Sequence, residues 1–460
     1  MSSAQSVPIG DGANPDKQEQ PPGVIRKAIA ASAVGNFTEW FDYGVYSVVT
    51  LYITQALTPG TSVAITLGGF AISFLIRPLG GFVWGPIGDR IGRRKVLATT
   101  ILLMAGSTFC VGLIPTYASI GFWSIVFLYL LRMIQGFSTG GEYGGAATFM
   151  AEYAPDKKRG FLGSFLEFGT LSGFALGSLI TLALQLSTGD AFMQSWGWRI
   201  PFFVALPLGL IGLYLRSKLE DTPVFRDAEA KGQTEKRATS ALKDLITEYW
   251  RPILVMSGLV IALNVVNYTL LTYMPTYVQD QLDMSETQAL VLASVGQLFM
   301  MLFLPLSGAI SDRVGRRPMW LFSMVGLFVV AVPMYLIMPK SFGLAIVAFM
   351  VMGLLYVPQL STISATFPAM FPTHVRYAGF AIAYNVSTSL FGGTASSVNN
   401  AMINATGISI FPAFYMMGAC VVGIVAWFFM KETAGASLRG SKIPEAKRTR
   451  TGKFRPTATA

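Results

Sequence analysis

The sequence predicts an all-α membrane protein of about twelve transmembrane helices, arranged as two six-helix bundles related by an internal repeat. Three observations predict it. Of 460 residues, 52% are hydrophobic and 13% charged, against about 25% charged in soluble domains. The mean hydropathy is +0.53, and so much apolar surface needs lipid as its solvent. The apolar residues fall into runs of about 20, the length of a helix that crosses a bilayer. One basic stretch, Gly85-Pro-Ile-Gly-Asp-Arg-Ile-Gly-Arg-Arg94, returns about half a chain later as Gly308-Ala-Ile-Ser-Asp-Arg-Val-Gly-Arg-Arg317. Two copies of one loop at that spacing imply two homologous halves laid end to end.

A second pair of segments supports the repeat. Glu152-Tyr-Ala-Pro-Asp-Lys-Lys-Arg159 follows the fourth apolar run, and Ala369-Met-Phe-Pro-Thr-His-Val-Arg376 follows the tenth. Parallel repeats of this kind build transporters with a site between the halves.

Along the chain, residues 1–27 are polar and lack the apolar core and small-residue cleavage site of a signal peptide. They read as a disordered cytoplasmic leader. Spans are placed at 28–54, 62–84, 96–115, 120–150, 161–186 and 198–216, then at 252–279, 287–310, 318–338, 342–370, 377–403 and 411–430. The first six make a bundle over 28–216 and the last six a bundle over 252–430. Residues 217–251 mix acids and bases and read as a linker. The tail, 431–460, is basic, has no heptad pattern, and can lie on anionic lipid. Lys and Arg concentrate in the loops after spans 2, 4 and 8. By the positive-inside rule those loops, the linker and both termini are cytoplasmic. The net charge of +10 sits in these loops and the tail, so nucleic acid is not an expected partner. Cys110 and Cys420 lie in apolar runs and read as structural thiols.

Enzyme signatures are absent: there is no His-Glu-x-x-His, no Gly-x-Ser-x-Gly and no phosphate-binding loop. A single His gives no metal-ligand pattern. No catalytic residue, metal or cofactor is expected, and the missing phosphate-binding loop argues against ATP as the energy source.

Ionisable residues inside spans are costly and point to function. Span 1 places Asn36, Glu39, Tyr43 and Tyr46 on one helical face, with Asp42 at its edge and Trp40 nearby. Glu39 and Asp42 are expected to carry protons. Span 4 aligns Arg132, Gln135, Thr139 and Glu142. Arg132 suits a solute carboxylate, or pairs with a span 1 acid; Glu142 is a third proton-carrying candidate. Span 7 offers Asn264, Asn267 and Tyr268 without a charge, and span 11 offers Tyr384 and Asn385. Arg77 in span 2 either meets solute or snorkels to the interface. Small-residue stripes at Gly136, Gly140 and Gly144, and at Gly169, Gly173 and Gly177, read as close helix packing that also lets bundles rock. Asp89, Arg93 and Arg94, with their repeat-mates Asp312, Arg316 and Arg317, are expected to gate the cytoplasmic side. Asp89 would pair with loop arginines or face a helix N-terminus across the halves.

The Gly-x-x-x-Asp-Arg-x-Gly-Arg-Arg loops resemble the major facilitator superfamily. Within it the chain resembles the metabolite:proton symporter family. The resemblance is carried by Gly35-Asn36-x-x-Glu39-Trp40-Phe41-Asp42, Ile76-Arg77-Pro78-Leu79-Gly80-Gly81, Gln135-Gly136-Phe137-Ser138-x-Gly140-Gly141-Glu142-Tyr143 and Trp196-Gly197-Trp198-Arg199-Ile200-Pro201. It implies proton-coupled uptake of a small zwitterionic osmolyte such as proline or glycine betaine, raised at high osmolality. The energy source it implies is a proton gradient, across a bacterial inner membrane. It also implies coupling roles for Glu39, Asp42 and Glu142. The alternatives are a symporter for a dicarboxylate or other organic acid, which would need Arg77 beside Arg132, and a membrane sensor that binds without transporting.

Overall fold

The computed structural model describes residues 22–60, 62–91, 93–140, 142–217, 245, 247–372, 375–438, 443–448 and 454–456. Most of the leader and of the 217–251 linker lies outside these residues. So do the side chains of Asp89, Arg93, Arg94 and Glu142.

Among the described residues, twelve helical rods appear where the apolar runs predict them. They are α1 (Pro22–Leu57), α2 (Val63–Ile91), α3 (Arg93–Leu113), α4 (Trp123–Thr139, resumed at Glu142–Tyr153), α5 (Arg159–Thr188) and α6 (Ile200–Ser217). The second half holds α7 (Trp250–Asn267, then Met274–Asp280), α8 (Glu286–Val314), α9 (Arg316–Ile337), α10 (Phe342–Leu360, then Ile363–Thr366), α11 (Arg376–Ser387, then Ala395–Thr406) and α12 (Phe411–Phe429). Eight candidate spans among the described residues are long and apolar enough to cross a membrane by length and composition alone. Among the remaining rods, α11 is divided into shorter pieces and α1 carries two acids and an amide through its middle.

Local chemistry sets the helix ends. α1 stops before Pro59 and Gly60, whose φ is 73°. α8 starts at a reciprocal capping box between Ser285 and Gln288. It ends at Gly315, where φ is 110°. That conformation is open to glycine and strained for other residues, which explains a glycine in the repeated loop that charge alone does not.

Two rods change pitch. π-helical turns occupy Tyr268–Tyr273 in α7 and Thr388–Gly392 in α11. Such turns re-aim the side chains that follow them and gather at functional sites. The two rods are tied together by Asn264, one turn before the first of these, donating to Thr388 Oγ1 at 2.8 Å.

The halves meet along two equivalent seams, α5 against α8 and α2 against α11. Exchanging each helix for its repeat-mate converts one seam into the other, as a twofold relation requires. Outward-facing Leu302, Val329, Phe428 and Phe429 remain exposed, the surface lipid would cover.

The glycine stripes pack mainly inside the first half. A Cβ on Gly136 would lie 1.7 Å from the Ser73 carbonyl oxygen of α2, and one on Gly173 2.6 Å from that of Phe37 in α1. They fix α4 on α2 and α5 on α1. G136A is expected to cost about 1–3 kcal/mol through overpacking, read as a lower melting temperature in detergent.

Beyond α12 the tail folds back. Its backbone turns through Thr433–Ala436, and strands β1 (Ala446–Arg448) and β2 (Phe454–Pro456) pair antiparallel. Glu432 accepts from the backbone N–H groups of Arg316 and Arg317 at 2.9 and 3.0 Å, capping α9.

Candidate functional site

Three polar constellations lie in the middle of the bundle. The first ties α1 to α5. Asn36 Nδ2 donates to the Leu166 carbonyl at 2.8 Å and to Thr170 Oγ1 at 2.5 Å. Its Oδ1 accepts from the Trp40 indole N–H at 3.0 Å. Asn36 therefore fixes the orientation of Trp40, whose ring meets Tyr43, Phe174 and Tyr268 at 5.3, 5.6 and 6.2 Å. Tyr268 comes from the opposite half, so Trp40 stands at the junction.

The second centres on Arg77, which is 1% exposed. Its guanidinium pairs with Glu39 and donates to the Tyr43 hydroxyl and to Thr139 Oγ1, both at 3.0 Å. It also lies 4.7 Å from the Phe74 ring centre. A residue so enclosed does not snorkel, which corrects one of the two expectations for Arg77. Tyr43 touches Trp40, and Phe74 touches Tyr268 at 5.1 Å, so this pair reaches the junction through aromatic rings.

The third sits inside the first half. Arg132 pairs with Asp42 at 2.8 Å and donates to Gln135 Oε1 at 2.8 Å. Gln135 Nε2 donates to Asp42 Oδ1 and to Thr108 Oγ1. The guanidinium carbon lies 3.6 Å from the Tyr46 ring centre. Of the two expectations for Arg132, the structure displays the ion pair with a span 1 acid. Buried charges in such a setting are tolerated because each has a partner.

Between the halves is a cavity of about 10 Å³, lined by Trp40, Glu167 and Thr170 on one side and by Asn264, Asn267, Tyr356 and Tyr384 on the other. That is room for about one water molecule. A solute the size of an amino acid enters only when the walls part. Tyr356 donates to Asn267 Oδ1 at 2.9 Å, and Tyr384 stacks on Tyr143 at 4.6 Å.

Both approaches to the cavity are bridged. On the side away from the basic loops, Tyr52 bonds Gln185 at 2.9 Å and Glu286 at 2.7 Å, and Ser178 donates to Gln297. On the basic side, Asp312 accepts from the backbone N–H groups of Gly160 and Phe161 at 2.8 and 2.9 Å and pairs with Arg316 at 2.6 Å. These N–H groups open α5, so the carboxylate meets the positive end of a helix across the seam. The arrangement expected of Asp89 is thus seen at its repeat-mate. Arg317 lies over the Trp427 ring at 4.5 Å. Arg376 pairs with Glu152 at 2.8 Å, and Asn385 reaches the Gly140 carbonyl at 3.2 Å. The tail adds a tie: Arg159 donates to the Ala436 carbonyl and Arg376 to the Leu438 carbonyl.

Of the residues picked from sequence, Trp40, Asn264, Asn267 and Tyr384 line the cavity, while Asn36, Tyr43, Arg77 and Tyr268 stand behind its wall. Sequence reasoning passed over Glu167, Tyr52 and Glu286. The rule that flagged span 1, an acid inside an apolar run, would have found Glu167.

Two equivalent seams, a central cavity between the halves and buried ion pairs fit a membrane transport protein. Residues 32–397 match the model of the Major Facilitator Superfamily, and the chain belongs to that family. It is 43% identical over 441 residues to the proline/betaine transporter of Escherichia coli K12, covering 92% of this chain and 88% of that one. It is 42% identical to the glycine betaine/proline/ectoine/pipecolic acid transporter OusA of Dickeya dadantii, with the same coverage. The ectoine/proline transporter ProP of Corynebacterium glutamicum is 41% identical, over 92% of this chain and 87% of the relative. The proton:xylose symporter XylE shares the fold, with a TM-score of 0.72 at 19% identity over 90% of this chain and 98% of that one.

Proposed function

We infer that the chain is a proton-coupled symporter importing zwitterionic compatible solutes such as proline and glycine betaine by alternating access. The observation that carries the reading is the cavity between the halves, walled by aromatic rings and amides and bridged at both approaches. The names of relatives above 40% identity support the solute class. Aromatic faces favour a quaternary or secondary ammonium. In this reading the carboxylate end is drawn toward Arg77, which joins the cavity wall through Tyr43 and Trp40. The basic loops and the tail face the cytoplasm of a bacterial cell.

Glu39 and Asp42 each hold an arginine. Protonating either acid cancels one charge of a buried pair and frees the arginine to re-pair. That links proton occupancy to the geometry of α1, against which α5 packs. E39Q and D42N, each fixed in the neutral form, are expected to lower gradient-driven accumulation by about tenfold or more, while counterflow of labelled solute persists. Accumulation at wild-type levels in both variants removes these residues from the coupling.

The test of the function is uptake of labelled glycine betaine, proline and 2-oxoglutarate into proteoliposomes, with and without an inward proton gradient, at low and high external osmolality. Gradient-driven accumulation of betaine or proline, rising with osmolality, is expected. Accumulation of 2-oxoglutarate alone overturns the solute class.

A further inference from the structure

We propose that Glu167 of α5 is the counter-anion that receives the positively charged end of the solute, and so sets selectivity for cationic headgroups. The inference rests on the zwitterion reading above. Glu167 is 2% exposed and lines the cavity. The other acids described at the bundle centre, Glu39 and Asp42, are each paired with an arginine. Glu167 has no such partner among the described residues. Its Oε1 accepts from the Tyr143 hydroxyl at 2.5 Å and its Oε2 from Thr170 Oγ1 at 3.0 Å.

Those two bonds orient the carboxylate and bring no cation to it. Each carboxylate oxygen retains further acceptor capacity. A buried carboxylate with no cation is a costly feature in a membrane bundle, and the cost is offset when a cation arrives. The surroundings suit such a cation. Trp40 and Tyr356 present rings to the same cavity, and Tyr384, stacked on Tyr143, presents a third. A trimethylammonium carries no N–H to donate, so negative charge and aromatic faces are what can hold it. A secondary ammonium adds a hydrogen bond to the free lone pairs of Glu167. Both headgroups share one positive charge, and the carboxylate reads that charge.

The experiment uses the full chain in proteoliposomes and competes labelled betaine uptake with unlabelled betaine or 3,3-dimethylbutanoate. The latter keeps the carboxylate and the bulk of betaine but replaces the charged nitrogen with carbon. Wild type accumulating betaine upholds the zwitterion reading independently of Glu167. The expected result is that wild type prefers betaine strongly over its neutral-headed analogue, and that E167Q loses at least about tenfold of that preference. A purely structural role would lower uptake of both without changing their ratio. A preference in E167Q within about twofold of wild type overturns the proposal. Should E167Q not reach the membrane, E167D decides. Its carboxylate is drawn back by one methylene, and the betaine KM is expected to rise about fivefold or more with the saturated rate held. A KM within about twofold of wild type overturns it.

Discussion

D312N is expected to collapse uptake while leaving the protein folded. The Asp312 carboxylate is the acceptor for two backbone N–H groups at the start of α5 and the partner of Arg316. Asparagine keeps the shape and one acceptor oxygen but removes the charge. Charge-assisted bonds across an interface are worth about 2 kcal/mol or more when one partner is truncated. That shifts the balance between closed and open forms of the basic side by about thirtyfold. The bonds join α8 to α5 and so exist only while that side is shut. The variant should therefore populate the form open toward the basic loops. Ser364 gives the readout. It lies inside the closed seam, with its Cβ 3.2 Å from where a Cβ on Gly163 would stand, and its hydroxyl has no partner among the described residues. In a C110S/C420S background, S364C should label slowly from the basic side, and adding D312N should speed labelling and lower the uptake rate together. Unchanged labelling would place the closure elsewhere.

R77A is expected to be the most damaging single change in the bundle. Removing the guanidinium takes the arginine away from the buried Glu39 carboxylate, and breaking a buried pair costs about 3–5 kcal/mol. It also strips donors from Tyr43 and Thr139. R77K should not rescue transport. Lysine keeps the charge but cannot present donors at fixed angles to three acceptors on α1 and α4 while lying over the Phe74 ring. The distinguishing measurement is a double-mutant cycle. R77Q/E39Q should melt higher than R77Q alone, because the second change removes a buried carboxylate that has lost its arginine. If the double variant melts lower, the pair is not the dominant energetic term at that site.

Much of this arrangement is legible in the residues themselves. Apolar run length places twelve rods, and the doubled Asp-Arg-x-Gly-Arg-Arg loop reveals two halves. The insertion cost of charge singles out Glu39, Asp42, Arg77 and Arg132. What residues alone do not yield is who pairs with whom. Helical periodicity orders the face of one helix but carries no information on which neighbour meets it. Arg132 thus keeps two readings open until α4 is seen against α1. The π-helical turns in α7 and α11 are invisible for a related reason: they shift the facing of side chains without any change in hydropathy. Glu167 was hidden differently. Its helix is dominated by glycines at four-residue spacing, and the packing signal masked a lone acid on the same rod.

The tail carbonyls that hold Arg159 and Arg376 belong to Ala436 and Leu438, two positions apart on one strip of backbone. Those arginines are repeat-mates, one from each half. Two residues of chain span at most about 7 Å, so the strip is a leash of fixed length between the moving bodies. While both ends hold, the basic side cannot gape wider than the leash allows, and opening begins with one end letting go. A stop codon placed just after Ala434 would cut the leash and keep Glu432, the cap of α9, which makes travel and restraint separable in a single gene.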